Sequence, residues 1–271
     1  PQAMKNVLYA ESEDGLRWHK PALGRHAYEG RTDNNILLED HFANSVTHVP
    51  DDPEGYYWRM FALKRGQGPQ LLRSRNGMDW EGGSIEADFH GSDDACLVYD
   101  PFQERFILVG KFRKPIGKKI VNPLTAEPWE IPIRHLLVTQ VDRNLSALDP
   151  WTPALLPDET DHASVAARYP AIFVEGFLSP WRMKPEFEAA HALASETRYL
   201  DRLTVAPQSG YHHMDFMNMV ILPYDGVYLG LLQVLNATAH VFDFGALGKP
   251  RPDGGPGSDG TMEIQLVCSR D

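Results

Sequence analysis

The sequence predicts an all-β protein of the β-propeller kind, and three observations carry that expectation. A Ser-x-(Asp/Asn)-Gly-x-x-Trp turn recurs, strand–turn–strand pairs precede its copies, and the copies are spaced by roughly sixty residues, the span of one four-stranded unit. The first copy follows Val7-Leu8-Tyr9-Ala10-Glu11 and runs from Ser12 through Asp14-Gly15 to Trp18. The second follows Leu71-Leu72-Arg73 and runs from Ser74 through Asn76-Gly77 to Trp80. A degenerate third, lacking the glycine, extends from Leu136 to Trp151, and a fourth opens at Ile264 and runs to Asp271. Asp or Asn followed by Gly is expected to supply the positive-φ positions of a tight hairpin. The tryptophan is expected to open the next strand and fill the space between neighbouring units.

The remaining strands are bounded by Pro, Asp and Gly. Residues 45–49 and 56–61 flank the turn Pro50-Asp51-Asp52-Pro53-Glu54-Gly55. Residues 95–99 and 106–110 flank Asp100-Pro101-Phe102-Gln103-Glu104-Arg105, and 217–222 and 227–232 flank Pro223-Tyr224-Asp225-Gly226. The units fall at 41–84, 91–151 and 209–271, with outer strands of an earlier unit at 6–20. Residues 152–208 form an insertion between units, with a small helical part near 158–200 that includes a short helix over 185–194. A propeller must close on itself to protect its strand edges. The expectation is therefore one incomplete propeller domain over 1–271, about three blades plus part of another, within a longer polypeptide that carries further blades at both ends.

Composition narrows the function. A chain of 271 residues buries roughly three quarters of its unfolded surface, so a large core is available. A net charge of −11 argues against nucleic acid, which needs clustered Lys and Arg. The one basic cluster, Lys111-Phe112-Arg113-Lys114 with Lys118-Lys119, is interrupted by Pro115 and Gly117 and reads as a solvated hairpin loop. An acidic chain with 6 Trp, 10 Tyr and 12 Phe suits a neutral, polyhydroxylated ligand that stacks on rings and hydrogen-bonds to carboxylates. No apolar run reaches the ~18 residues that span a bilayer, so no membrane association is expected. No Gly-rich strand-to-helix loop suggests a nucleotide, and no cofactor is expected. Cys96 and Cys268 lie too far apart to suggest a disulfide scaffold or a zinc site. They leave compartment open between cytoplasm, periplasm and the exterior, and nothing fixes the oligomeric state.

In a propeller the first strand of each blade lines the central channel, so its opening residues are the ones to weigh. They are Asp40, His41, Asn44 and Ser45 in the first unit, Ser92, Asp93 and Asp94 in the second, and Tyr211, His212, His213, Asp215 and Asn218 in the third. All three openings are polar, and the strands behind them turn apolar at once. Asp93 and Asp94 read either as a solvated turn or as functional carboxylates. Asp215 stands among Met214, Phe216, Met217 and Met219, where an unpaired charge would be costly, so it must be paired, hydrogen-bonded or functional. His212 and His213 have no third ligand at zinc spacing, and no metal is expected. Asp100 reads as a structural turn residue. Paired carboxylates in a deep pocket fit cleavage of a glycosidic bond, one protonated to assist the leaving oxygen and one ionised as nucleophile or base. The catalytic candidates are Asp93, Asp94 and Asp215. The candidates for holding sugar hydroxyls are His41, Asn44, His212, His213 and Asn218. A non-catalytic carbohydrate-binding or scaffolding propeller is the alternative. A phosphorylase ranks behind both, since the openings hold no Arg or Lys for phosphate.

Residues 8–18, Lys20-Pro21-Ala22-Leu23-Gly24 and Asp33-Asn34-Asn35-Ile36 resemble a family of bacterial proteins related to the N-terminal domain of family 32 glycoside hydrolases. The stretches from Asp93 to Phe102, Tyr228–Leu232 and Glu263–Asp271 resemble the later blades of that family. The resemblance implies a five-bladed propeller akin to the fructosidase and arabinanase superfamily, with three acidic residues drawn from different blades. The chain departs from the pattern in carrying no Trp-Met-Asn-Asp-Pro-Asn-Gly, Arg-Asp-Pro or Glu-Cys motif.

Overall fold

The structure is a computed structural model that describes residues 5–85, 94–121, 128–142, 148–168, 212–241 and 257–270. Among the described residues it is all-β apart from one short helix, and each sheet is antiparallel. A two-stranded ribbon pairs β1 (Val7–Leu8) with β2 (Ile36–Leu38). The first meander runs β3 (His41–His48), β4 (Trp58–Lys64), β5 (Gly68–Ser74) and β6 (Trp80–Ser84). The second runs β7 (Ala95–Asp100), β8 (Arg105–Val121), β9 (Pro128–Val141) and β10 (Thr152–Leu155). The third runs β11 (His213–Tyr224), β12 (Val227–Val241) and β13 (Gly257–Ser269). Helix α1 (Glu159–Arg168) stands between the second and third meanders in sequence.

Each strand pair follows from its turn. Asp225 and Gly226, with φ of 45° and 77°, form the two-residue turn that sets Tyr224 opposite Val227. That is the twist-matched geometry Asp-Gly favours. In the recurring motif the mechanism differs from the one expected. Gly15 and Gly77 have φ of 74°, but Asp14 and Asn76 are not in the positive-φ region. Their side chains act instead as acceptors. Asp14 Oδ1 takes the N–H groups of Leu16 and Arg17 at 2.8 Å, and Asn76 Oδ1 takes those of Met78 and Asp79 at 2.9 Å. Ser12 Oγ and Ser74 Oγ accept from the glycine N–H at 2.9 Å in both copies. The motif is thus a set of side-chain acceptors for the N–H groups a tight turn leaves unpaired.

Alternation along the central strands builds a stack. On β4, Met60 and Ala62 face the ribbon with Val7, Leu37 and Leu72, while Phe61 and Leu63 face the second meander with Leu97, Phe106 and Leu108. On β8, Phe106 and Leu108 face back to the first meander. Ile107 and Val109 face the third, meeting Met214, Phe216, Leu232 and Val234. Successive side chains point to opposite faces, so an unbroken apolar run is what a sheet covered on both sides requires. The order of the layers is ribbon, first, second, third. The opening strands β3 and β7 are tied directly, with Ser45 Oγ accepting from Leu97 N–H at 2.9 Å and Thr47 Oγ1 from Tyr99 N–H at 3.1 Å. At the far end of β7, Asp100 accepts from Phe102 N–H and from the hydroxyl of Tyr228 on β12, a turn residue that also ties two meanders.

Four expectations change. The basic cluster is not a loop, because β8 runs through it with a shift in register between Pro115 and Lys119. Within it Lys111 is buried. Of the tryptophans, Trp80 packs against the ribbon-side core and Trp151 against the core between the first two meanders, but Trp18 is 63% exposed. The earlier outer strands are a short ribbon and one isolated bridge, Glu11 to His19. In the stretch assigned to an insertion, Thr152–Leu155 completes the second meander, and helix comes at Glu159–Arg168. Asp158 caps it, accepting from Thr160 and Asp161 N–H, while Asp161 accepts from Asp158 N–H. The helix expected over 185–194 lies outside the described residues. No helix among those described is long and apolar enough to cross a membrane.

Candidate functional site

The opening of β11 is buried on both faces. Met214 and Phe216 enter the core shared with the second meander, while His213 and Asp215 are wholly buried among polar partners. A shift in register between Phe216 and Asn218 separates this segment from the remainder of the strand, as a bulge does where side chains must be re-aimed. β10 pairs with β9 only as far as Leu136, so Arg134 lies beyond the reach of that pairing. Asp215 takes this place. Its Oδ1 accepts from the Arg134 N–H at 2.8 Å and its Oδ2 from Arg134 Nη1 at 2.5 Å. His213 Nε2 lies 3.5 Å from Oδ1. Burial raises the pKa of this carboxyl, but the His213 hydrogen bond and the charges of His213 and Arg134 outweigh it and hold Asp215 below the usual carboxylate range.

Helix α1 closes over the same strand opening. Its His162 accepts the Met214 N–H on Nδ1 at 3.1 Å, which fixes the proton of a neutral ring on Nε2. Its Arg168 reaches Asn236 Oδ1 on β12 at 2.9 Å and Glu263 on β13 at 3.1 Å. A polar cluster of two histidines, two arginines, two carboxylates and one amide therefore spans β9, α1 and the third meander.

Asp94 stands just ahead of β7, where Lys111 Nζ, itself buried, donates to Oδ2 at 2.8 Å. Lys111 lies opposite Leu136 on β9, two residues from Arg134, so both ion pairs occupy the same end of the second meander. Between them His135 is buried with its Nδ1 unpartnered, beside Phe112 at 6.3 Å. Burial and the nearby Lys114 charge keep its ring pKa low.

The other expected residues do not join this group. His41 is buried at the start of β3, with its Nδ1–H donated to the Glu39 carbonyl at 2.6 Å. Asn218 lines a cleft of about 330 Å³ where the opening strands of the three meanders meet, beside Ser45, Thr47 and Val220. His212 is half-buried ahead of β11. Asp93 and the side chain of Asn44 lie outside what is described. Among the described residues no group of three His, Cys, Asp or Glu side chains is disposed to hold a metal. Sequence reasoning missed Lys111, Arg134, His162 and Arg168. The available signal was a cation inside an apolar run, as in Val109-Gly110-Lys111-Phe112 and Ile133-Arg134-His135-Leu136.

No protein-family model matches this chain, and no curated protein does. Among solved structures, one that matches is an N-acetylgalactosamine deacetylase from F. plautii in complex with blood group B trisaccharide. It is 11% identical, with a TM-score of 0.31, over 99% of this chain and 73% of that one. A likeness of that size carries no inference about the site.

Proposed function

We propose that this chain is the greater part of a five-bladed β-propeller and works as a glycoside hydrolase-like enzyme at the end where β7 and β11 open. The observation that carries the reading is the pair of cation-held carboxylates, Asp94 with Lys111 and Asp215 with Arg134, at one end of the second meander. The stacking of three meanders with their opening strands side by side supports the propeller. Glycosidic cleavage needs one carboxylate that stays ionised and one that exchanges a proton with the leaving oxygen. Asp215, held ionised, suits the first role as a stabiliser of positive charge developing on the sugar ring. Asp94, partly exposed at its strand opening, is placed to meet substrate with Asp93 beside it in sequence. His212, His213, His41, Asn44 and Asn218 remain the candidates for sugar hydroxyls.

One observation favours the non-catalytic alternative, a carbohydrate-binding propeller: Asp215 exposes none of its surface and both its oxygens are engaged. Turnover of a panel of glycosides, measured together with sugar binding, separates the two. The enzyme reading expects hydrolysis that Asp94→Asn and Asp215→Asn each lower by at least roughly a hundredfold with binding retained, the scale of a lost proton-transfer or charge-stabilising group. Thermal melting confirms that each variant is folded. Binding without turnover in the unsubstituted protein selects the alternative. Absence of both removes carbohydrate from the account.

A further inference from the structure

The turn between β5 and β6 carries a reactive pair that the first copy of the motif lacks. Asn76 is the one asparagine of the chain followed by glycine. An asparagine can be attacked on its side-chain Cγ by the main-chain nitrogen of the next residue, and a glycine there leaves the approach unobstructed. The first copy has Asp14 at the same position, with Gly15 after it. Asp14 Oδ1 and Asn76 Oδ1 make the same two bonds, each to the N–H groups two and three residues on. Aspartate therefore already builds this turn once in the molecule.

The fold holds both reacting groups. The Gly77 N–H, whose nitrogen is the nucleophile, is donated to Ser74 Oγ at 2.9 Å. The Gly77 carbonyl accepts from Trp80 Nε1 at 3.0 Å, and a Cβ placed on Gly77 would meet the Trp58 indole at 3.6 Å. On the side chain under attack, Oδ1 is held by the Met78 and Asp79 N–H groups, and Nδ2 donates to Asp79 Oδ2 at 2.8 Å. Attack needs the Gly77 nitrogen stripped of its proton and the amide turned over it, so it waits for these bonds to open. Asn76 itself is exposed, so water reaches it.

We propose that Asn76 is a site of spontaneous deamidation gated by this turn, slow while Ser74, Asp79 and Trp80 hold it and fast once β5 and β6 part. The Gly77 nitrogen bonds to Asn76 Cγ, the Cγ–Nδ2 bond breaks, and Nδ2 leaves as ammonia with the proton that Gly77 gave up. Water then opens the five-membered imide. Opening at Cγ returns an aspartate on the ordinary main chain, and opening at the Asn76 carbonyl carbon gives an isoaspartate whose main chain runs through Cγ. Only the aspartate keeps the acceptor that Asp14 shows to fit. It also sets a second carboxylate against Asp79, where the first copy has Arg17, which gives asparagine a reason to stand here. The inference is independent of the carbohydrate reading.

The full chain is incubated in mildly alkaline buffer, folded or unfolded in guanidinium, and conversion is read by peptide mass spectrometry as loss of ammonia and gain of water. In the unfolded chain Asn76 should convert ahead of Asn35 and Asn236, which are followed by Ile and Ala. In the folded chain it should convert at least about tenfold more slowly, because only the open fraction of the turn reacts. Ser74→Ala should raise the folded rate roughly fivefold, the weight of one hydrogen bond. If thermal melting shows that this variant does not fold, Trp80→Phe, which releases the Gly77 carbonyl and keeps an aromatic ring, carries the same expectation. Asn76→Asp, the product itself, should fold like the parent chain. The proposal is overturned by equal rates in the folded and unfolded chain, or by Asn76 converting no faster than Asn35 when unfolded. It is overturned equally by an unchanged rate in the folded variant, or by failure of Asn76→Asp to fold.

Discussion

Asp215 shows how a single residue can be anticipated in need and missed in detail. A carboxylate among methionines was expected to be paired, hydrogen-bonded or functional, and its pairing is with Arg134, 81 residues away in sequence. Position alone named no partner, because β9 and β11 meet only once the second and third meanders stack. The pair is buried on one side and nearly so on the other, so removing the cation alone strands a charge in the interior. Arg134→Met is expected to lose about 3–5 kcal/mol at neutral pH. The pH dependence follows from the direction of the shift. The Asp215 pKa is depressed in the folded state, so the stabilisation is present above the ordinary carboxylate value of about 3.9 and is lost as pH falls through the lower folded value. Denaturant melts of both proteins at neutral pH and near pH 3 should show the difference between them narrowing in acid. An equal difference at both pH values would mean that Asp215 does not carry the charge. Asp52 behaves alike at a second buried pair, where two N–H donors and Arg59 at 2.7 Å outweigh burial.

At the scale of elements, the sequence signals that succeeded were local and those that failed were not. The Ser-x-(Asp/Asn)-Gly turn and the Asp225-Gly226 hairpin are decided within four or five residues, and their strands lie where the repeat expects them. The basic cluster failed as a loop because β8 is held there by its pairing with β9, a tertiary contact that overrides the turn chemistry of Pro115 and Gly117. Trp18 and Trp80 occupy equal places in the motif, yet of the two only Trp80 packs against a core among the described residues. A close approach on β6 gives this level its prediction. Gly82 has φ of 138°, and a Cβ placed on it would sit 2.3 Å from the Leu71 carbonyl oxygen, whereas Gly83 has open space. Gly82→Ala should cost about 1–3 kcal/mol of strain, and Gly83→Ala should stay within ~0.5 kcal/mol. Thermal unfolding of the two variants decides it, since similar midpoints would show that β6 does not lie against β5 as described.

Among the described residues the molecule is a stack in which the first and second meanders are covered on both faces and the third on one. On the far face of the third, Val220, Leu231 and Leu266 line up across β11, β12 and β13, with Leu222 and Ile264 alongside, all exposed. A face of this kind is large for a soluble surface. The folded protein should therefore bind an apolar fluorescent dye, and Ile264→Lys with Leu266→Lys should reduce the signal with little change in melting temperature. If dye binding is unchanged by the pair, that face is not the apolar surface. Function is also decided at this scale, because the polar openings of β7 and β11 gain meaning only through the layer that brings Lys111 and Arg134 beside them. A glycan array probed with the chain and with its His212→Ala variant, which removes a candidate for sugar hydroxyls at the opening of β11, tests this most directly. The expected result is binding to a restricted set of glycans that the variant loses while remaining folded. Uniform binding by both proteins, or none by either, would contradict it.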